Sequence, residues 1–506
     1  MKNIFLLSLL LGSTTLIGQI ENSSFTATGR GGATTFVTDY QALGINPANL
    51  GWHLEFEDKK MALGFNEFTY SIHSGALSKQ TLRDEFKAAY KGQTTETFTY
   101  EDKIQAAKDF AEGGLAMNVN YGSFGFAYHT DKFGGIAFRI NDNVNWYSKF
   151  NNDISQILFL GKTASYFDSL AVLLPNGDTS MVANDTNFVN GFNQDSILSG
   201  IASLPSYMSE LFEGSQISLS WTREYNLSYG RTIIEKDSIF ALYAGIGVKY
   251  FQGMAYVDIT SNGDGQMQAF SSMSPAFGIN YGSAQSINPS ADTVSNGIIP
   301  KPVGHGFGFD FGVNALLFNK LKIGLAVNNI GSMTWDGNVY TVKDTIVFDT
   351  ESAGLESYNV ASQLNDIVGE NGLFDYTGLE ERKVQLPTVV RIGASMELGK
   401  KIELGIDVVI PTTEVPGPGS YDNAIIGFGG DVQPIPWLRL SGGIVTGMNY
   451  DASTSDARPY SIPLGLTLIL GKGSFEAGIA SRDAITFFTQ NGPTLSLSTG
   501  FMRFRF

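Results

Sequence analysis

About fourteen stretches of this chain alternate apolar with small or polar residues, and the joins between them alternate in length. The stretches are 60–73, 115–128, 133–147, 216–231, 239–252, 304–318, 320–333, 386–398, 401–410, 424–432, 436–447, 459–471, 473–482 and 494–506. After the first, third, fifth and seventh the joins are long, at 74–114, 148–215, 253–303 and 334–385. After the even-numbered ones they are short: 129–132, 232–238, 319, 399–400, 433–435 and 472. The remaining three, 411–423, 448–458 and 483–493, are of medium length and fall at odd-numbered places. A transmembrane barrel sorts its joins in this way, because short turns lie on one side of the membrane and long loops on the other. Most stretches also reach the roughly ten residues that a tilted strand needs to cross a bilayer. A sandwich or propeller has no reason to sort joins by parity. The pattern predicts about fourteen antiparallel strands closed into a barrel, with long and partly helical loops on one side.

Individual stretches show two faces. Phe307, Phe309, Phe311, Val313, Ala315 and Leu317 alternate with Gly308, Asp310, Gly312 and Asn314. Ile402, Leu404, Ile406, Val408 and Ile410 alternate with Glu403, Gly405 and Asp407. Ile462, Leu464, Leu466, Leu468 and Leu470 share one face. A charge facing lipid near the midplane costs up to about 2–4 kcal/mol. Arg139, Glu224, Lys249, Asp310, Arg391, Glu397, Glu403 and Asp407 are therefore expected to face the lumen. The apolar phase changes between 115–121 and 124–128, so a bulge is expected at Gly122–Ser123.

The chain opens MKNIFLLSLLLGSTTLIGQ, with one charge (Lys2), an apolar run Ile4–Leu11, then small residues. This reads as a secretory signal peptide over 1–18, cleaved before Gln19. Its loss removes Lys2, so the formal charge of −16 becomes −17. Such acidity argues against nucleic acid, which needs clustered Lys and Arg. There is no cysteine for a thioether anchor or a disulfide, and no later apolar run long enough for a membrane helix. Charged residues make up 16% of the chain, below the ~25% usual for soluble domains, whereas glycines number 58. Gly29–Trp52 fits neither strand nor helix, yet carries Phe36, Tyr40, Leu43, Ile45, Leu50 and Trp52, which seek burial. It is expected to fold as a plug inside the barrel, dividing the mature chain into 19–58 and 59–506. The last residues, Phe501-Met502-Arg503-Phe504-Arg505-Phe506, resemble the terminal signal read by barrel-assembly machinery.

Ala42-Leu43-Gly44-Ile45-Asn46-Pro47-Ala48-Asn49-Leu50 resembles the "NPA" segment in the hatch of the long-chain fatty-acid transporter (FadL-like) family, and similar openings occur in PorV-like barrels of type IX secretion. Gly306–Trp335 looks like paired strands of that superfamily. The resemblance implies a fourteen-stranded bacterial outer-membrane barrel with Asn46, Pro47 and Ala48 as hatch residues. For FadL-like members it implies passage of small hydrophobic molecules, captured at external loops, beside the hatch. For PorV-like members it implies a scaffold that docks secreted or surface proteins.

Four insertions lie on the long-loop side. Ser78–Lys91 and Asp102–Glu112 look helical, and Ile154–Leu160 and Tyr166–Leu174 are strongly apolar. In Asp195–Phe212, the residues Ile197, Ile201, Leu204, Met208, Leu211 and Phe212 fall near helical spacing, predicting an apolar stripe with a kink at Pro205. That stripe is either the core of a self-packed cap or a patch that captures a hydrophobic ligand or a protein partner. Nothing points to an enzyme or a cofactor. The four histidines, His53, His73, His129 and His305, match no metal spacing, and His73-Ser74 adjacency does not create a triad. Asp258…Asn262-Gly263-Asp264-Gly265 lacks the ordered acids of a calcium loop and reads as a turn. Gly306-Phe307-Gly308 precedes no crossover helix; its glycines are expected to make room for the plug. The acidic residues Asp84, Glu85, Glu96, Glu101, Asp102, Glu351, Glu356, Asp366 and Glu370 read as solvated loop charges.

Overall fold

The structure, a computed structural model, describes residues 24–53, 58–74, 77, 80, 98–185, 194–236, 239–261, 267–292, 300–358, 363, 367–369, 374–399, 401–412, 424–446, 460–488 and 494–506. The expected signal peptide, the Asn262–Gly265 turn and the Ser78–Lys91 helix (save Gln80) lie outside them, as do Asp84, Glu85, Glu96, Asp366 and Glu370.

Among the described residues, fourteen strands form the wall. They are β1 (Met61–His73), β2 (Leu115–Thr130), β3 (Gly134–Lys149), β4 (Gln216–Lys236), β5 (Phe240–Ser261), β6 (Gly304–Leu317) and β7 (Leu321–Trp335). The others are β8 (Val389–Glu397), β9 (Ile402–Pro411), β10 (Ile425–Ile435), β11 (Leu438–Thr446), β12 (Leu464–Leu470), β13 (Phe475–Ser481) and β14 (Thr494–Arg505). Each pairs antiparallel with the next, and β1 pairs with both β2 and β14, so the sheet closes. Closure removes every free edge from the wall, the condition for strands to cross lipid.

The joins explain the parity. Between β6 and β7, Phe318 and Asn319 both take positive φ (53° and 54°), the geometry of a type I′ turn, which the Lys320 N–H closes by donating to the Leu317 carbonyl at 3.0 Å. Lys60 and Met61 both donate to the Phe506 carbonyl, at 2.7 and 3.1 Å, so the start and end of the wall meet on this short-turn side. The bulge sits where the apolar phase changes, with register shifting between Gly122 and Phe124.

The outer face is apolar: Phe307, Phe309, Phe311 and Val313 are exposed, while Gly308, Asp310, Gly312 and Asn314 between them are buried. Ring pairs edge this band. Phe133–Tyr229 and Phe475–Phe504 lie near the short turns, and the row Tyr225–Tyr250–Phe307 lies further up the wall. Aromatic girdles of this kind mark the two membrane interfaces of a barrel.

β4 and β5 outrun the band. β5 continues from Tyr250 to Ser261, and Met267–Met273, Val339–Lys343, Asp375–Gly378 and Arg382–Gln385 extend the sheet beyond it. Against this extramembrane wall pack two helices. One is α2 (Tyr100–Gly113), whose start is fixed by a Thr99–Asp102 capping box; the other is α3 (Asn152–Leu160), capped by Asn151 and ended at Gly161. Phe110, Phe150, Phe159 and Phe212 form the centre of the apolar cluster beneath them.

The expected helical stripe over Asp195–Phe212 is not there. Ile197–Tyr207 is a strand, flanked by a 3-10 turn at Gln194–Ser196 and a single α-helical turn at Met208–Leu211. The strand joins Ser169–Leu173, Thr179–Ala183 and Ile346–Thr350 in a separate four-stranded sheet. Tertiary partners outweighed a helical period in a short apolar run. Pro205 falls at the break in pairing between Val347/Ser206 and Asp349/Ile201, where its missing N–H costs no ladder bond. Ile197, Met208, Leu211 and Phe212 are buried, Ile201 is half-buried, and Leu204 is 87% exposed. The six residues do not form one patch.

Candidate functional site in the barrel lumen

Residues 24–52 lie inside the barrel. Helix α1 (Phe25–Arg30) is capped by the Ser24 side chain and stopped by Gly31, whose φ of 69° a residue with a Cβ seldom adopts. Two single turns follow, Asp39–Ala42 and Pro47–Gly51. Asn46 is held extended ahead of Pro47, at φ −154° and ψ 110°, and its side chain accepts from the Ala48 N–H at 2.9 Å. Pro47 takes the first position of the turn, where a backbone N–H has no partner to lose.

The wall makes room for this segment with glycine. Every wall strand carries an inward glycine, at each of which a Cβ would press on the segment or on a side chain holding it. Gly64 and Gly125 face Tyr40; Gly135 faces Leu50; Gly230 and Gly245 face Pro47; Gly312 and Gly324 face Asn46. Round the rest of the ring, Gly393 faces Thr35, Gly405 Ala33, Gly427 Gly31, Gly443 Arg30 and Gly465 Gly29, while Gly478 and Gly500 face Phe25. The high glycine content thus buys close backbone approach around the whole circumference. Gly306 and Gly308 are not part of it. They abut Met333 and Phe251 respectively, on the long-loop side of Gly312.

Residues 25–41 are tied down by charge. Arg30 bridges Glu403 (3.2 Å) and Asp431 (2.6 Å); Asp39 takes Arg503 at 2.5 Å and Arg505 at 3.8 Å. Glu476 joins Arg439 (3.4 Å), Arg503 (3.0 Å) and Arg505 (2.5 Å). Four arginines balance four carboxylates, all buried or nearly so. Thr34 donates to Asp407, which also pairs with Arg391 at 3.5 Å. Tyr40 and Gln41 donate to Glu67 of β1, at 2.8 and 2.7 Å. Asp39–Gln41 therefore grips β14 and β1 across the seam that closes the barrel.

Residues 42–52 carry no charged side chain and are held mainly by amides. The amides of Asn46, Asn314 and Asn49 form a chain at 2.9 and 2.7 Å, and Asn328 donates to the Gly44 and Ile45 carbonyls at 3.1 and 3.0 Å. At the end, the Lys322 ammonium sits 5.1 Å from the ring of Phe36, 5.0 Å from Trp52 and 5.9 Å from Tyr243. Its Nζ makes no hydrogen bond among the described residues and lies against the faces of these rings.

On the long-loop side of the segment lies a cavity of ≈ 70 Å³. It is lined by Arg391, Asp407, Thr28 and Thr34 together with Val409, Ile425, Val445 and Pro463, and Arg482 also lines it. This volume suits about two waters and is half the ~150 Å³ that takes up benzene.

Of the lumen residues proposed from sequence, Arg139 pairs with Glu67 (3.4 Å), Lys249 with Asp310 (3.0 Å), Arg391 with Asp407, and Glu403 with Arg30. Only Arg391 and Asp407 line the cavity. Sequence reading missed Glu67, Asp431, Arg439, Glu476, Arg503, Arg505 and Lys322. For the strand residues the signal was present: Arg503 and Arg505 alternate with Phe504 and Phe506, and the rule against charge facing lipid applies to them equally. For Arg30 and Asp39 there was none, because their segment has no period.

A closed sheet with an apolar outer band, aromatic girdles and a buried charged interior defines a transmembrane β-barrel. The model of a family of unknown function (DUF5723) matches residues 202–442. No curated protein matches. Among solved structures, the chain is similar to the toluene transporter TodX of Pseudomonas putida, at 10% identity and a TM-score of 0.38, over 97% of this chain and 99% of that one. It is also similar to a Pseudomonas aeruginosa FadL homologue, at 13% identity and 0.37, over 96% of each. A third is the monoaromatic hydrocarbon channel CymD, at 10% and 0.34, over 95% and 98%.

Proposed function

We propose that this barrel resides in the bacterial outer membrane and passes small hydrophobic or amphipathic molecules by gated diffusion, with residues 19–58 as its hatch. The observation that carries this reading is the cavity between the N-terminal segment and β8–β12, which sets the apolar side chains of Val409, Ile425, Val445 and Pro463 beside Arg391 and Asp407. A molecule with an apolar body and a polar end matches both parts. At its present size the cavity holds one end of such a molecule, so passage requires part of the segment to shift. Ile45, which also lines the cavity, belongs to the neutral stretch 42–52 with Asn46, Pro47 and Ala48, the part that can move at least cost. No bond is made or broken, and neither a cofactor nor a metal is needed.

The test is uptake of a medium-chain fatty acid into liposomes containing the full barrel. Val445→Trp, which fills the cavity from its lining, should lower uptake at least tenfold while the barrel still runs as a folded band in cold detergent. Unchanged uptake would exclude this cavity from the path.

One observation favours a second reading, a docking scaffold for a secreted or surface protein. Around Leu204 the small extramembrane sheet also exposes Tyr207, Ile346 and Phe348, the last two on its outer strand. On that reading, Leu204→Asp with Phe348→Asp abolishes crosslinking of a protein partner and leaves uptake intact.

A further inference from the structure

A second cavity, of ≈ 540 Å³, lies on the opposite side of the wall, in the outer face of β4–β7. Its lining pairs across the strands in two rows: Tyr229, Ile246, Phe311 and Val327, then Arg231, Ala244, Val313 and Leu325. The floor is low because Ala244 is the smallest side chain among these outward residues. The volume falls within the roughly 300–1,000 Å³ of small-molecule sites. The groove also carries a cation, Arg231, which is exposed near the short-turn end of β4. Tyr229, beside it in β4, packs on Phe133 in the short-turn girdle. An arginine on a lipid-facing wall is tolerated near the interface, where it can meet headgroup phosphate.

We propose that this groove is a specific site for one glycerophospholipid of the short-turn leaflet, with an acyl chain over Ala244 and the phosphate on Arg231. An apolar trough with one cation at its interfacial end is complementary to a molecule with an acyl chain and one anionic headgroup. The wall is thin at this point. Behind the groove, Gly245 and Gly312 separate it from Pro47 and Asn46 with backbone alone. The bound chain braces the wall opposite the neutral half of the N-terminal segment, independently of what the lumen carries.

The experiment is native mass spectrometry of the full-length barrel released from nanodiscs of phosphatidylglycerol, phosphatidylethanolamine and diacylglycerol. The expected result is one retained phospholipid per barrel, phosphatidylglycerol foremost, and no retained diacylglycerol. Ala244→Trp fills the groove and should lower retention at least tenfold, Arg231→Gln should abolish the preference for phospholipid over diacylglycerol, and Leu466→Trp, on the outer face of β12, should change neither. Equal retention by the parent and Ala244→Trp, or loss of lipid from all forms alike, would overturn the proposal.

Discussion

Residues 25–41 and 42–52 fill the same lumen but are held by different chemistry. The first stretch is bound to β9, β10 and β14 through buried ion pairs and to β1 through hydrogen bonds to Glu67; the second rests on β3–β7 through amide bonds and backbone contact with glycine. Removing one partner from a buried charge pair leaves the other charge without compensation, at about 3–5 kcal/mol. Losing a neutral hydrogen bond costs nearer 0.5–1.5 kcal/mol. An anchor and a movable flap therefore follow each other along one short segment, and glycine lets both approach the wall. The flap lies opposite the outer groove, and the anchor spans the seam.

The sharpest way to break the comparison is through the anchor. Asp39→Leu leaves Arg503 and Arg505 sharing Glu476, and is expected to cost about 3–5 kcal/mol. The check is a large fall in the urea midpoint, with part of the protein failing to reach the compact band in cold detergent. Next comes the flap. Gly245→Val forces side-chain atoms into Pro47 and should cost about 1–3 kcal/mol while the barrel stays closed. Limited proteolysis should then cut within 44–53, which it should not do in the parent. Asn328→Ala removes the bonds to the Gly44 and Ile45 carbonyls and should cost roughly 0.5–1.5 kcal/mol for each, with weaker cleavage at the same place. The smallest effect is expected far from both halves. Lys108 and Glu112, 3.8 Å apart, form an exposed pair on α2, so Lys108→Ala should leave the urea midpoint where it was.

The wall was legible in the sequence because lipid and lumen impose opposite demands on alternate residues. Strands such as 401–410 and 304–318 therefore fell within a residue or two of β9 and β6. Most of the inward charges obey the same rule and could have been read from it. The helical reading of Asp195–Phe212 failed because its strand is specified by partners far away in sequence, at Ser169–Leu173 and Ile346–Thr350. The division between anchor and flap was not legible either. Arg30 and Asp39 look like ordinary polar residues in a glycine-rich stretch until the wall sets Glu403, Asp431, Arg503 and Arg505 around them.

Because the chain has no cysteine, single substitutions can compare the two halves directly. Ala33 and Ala48 are both 0% exposed, the first in the anchor and the second in the flap. The decisive measurement is the rate at which a water-soluble maleimide labels Ala33→Cys and Ala48→Cys in the folded barrel. Labelling at position 48 is expected to be at least ten times faster than at position 33. Equal rates, or faster labelling at position 33, would contradict the division into anchor and flap.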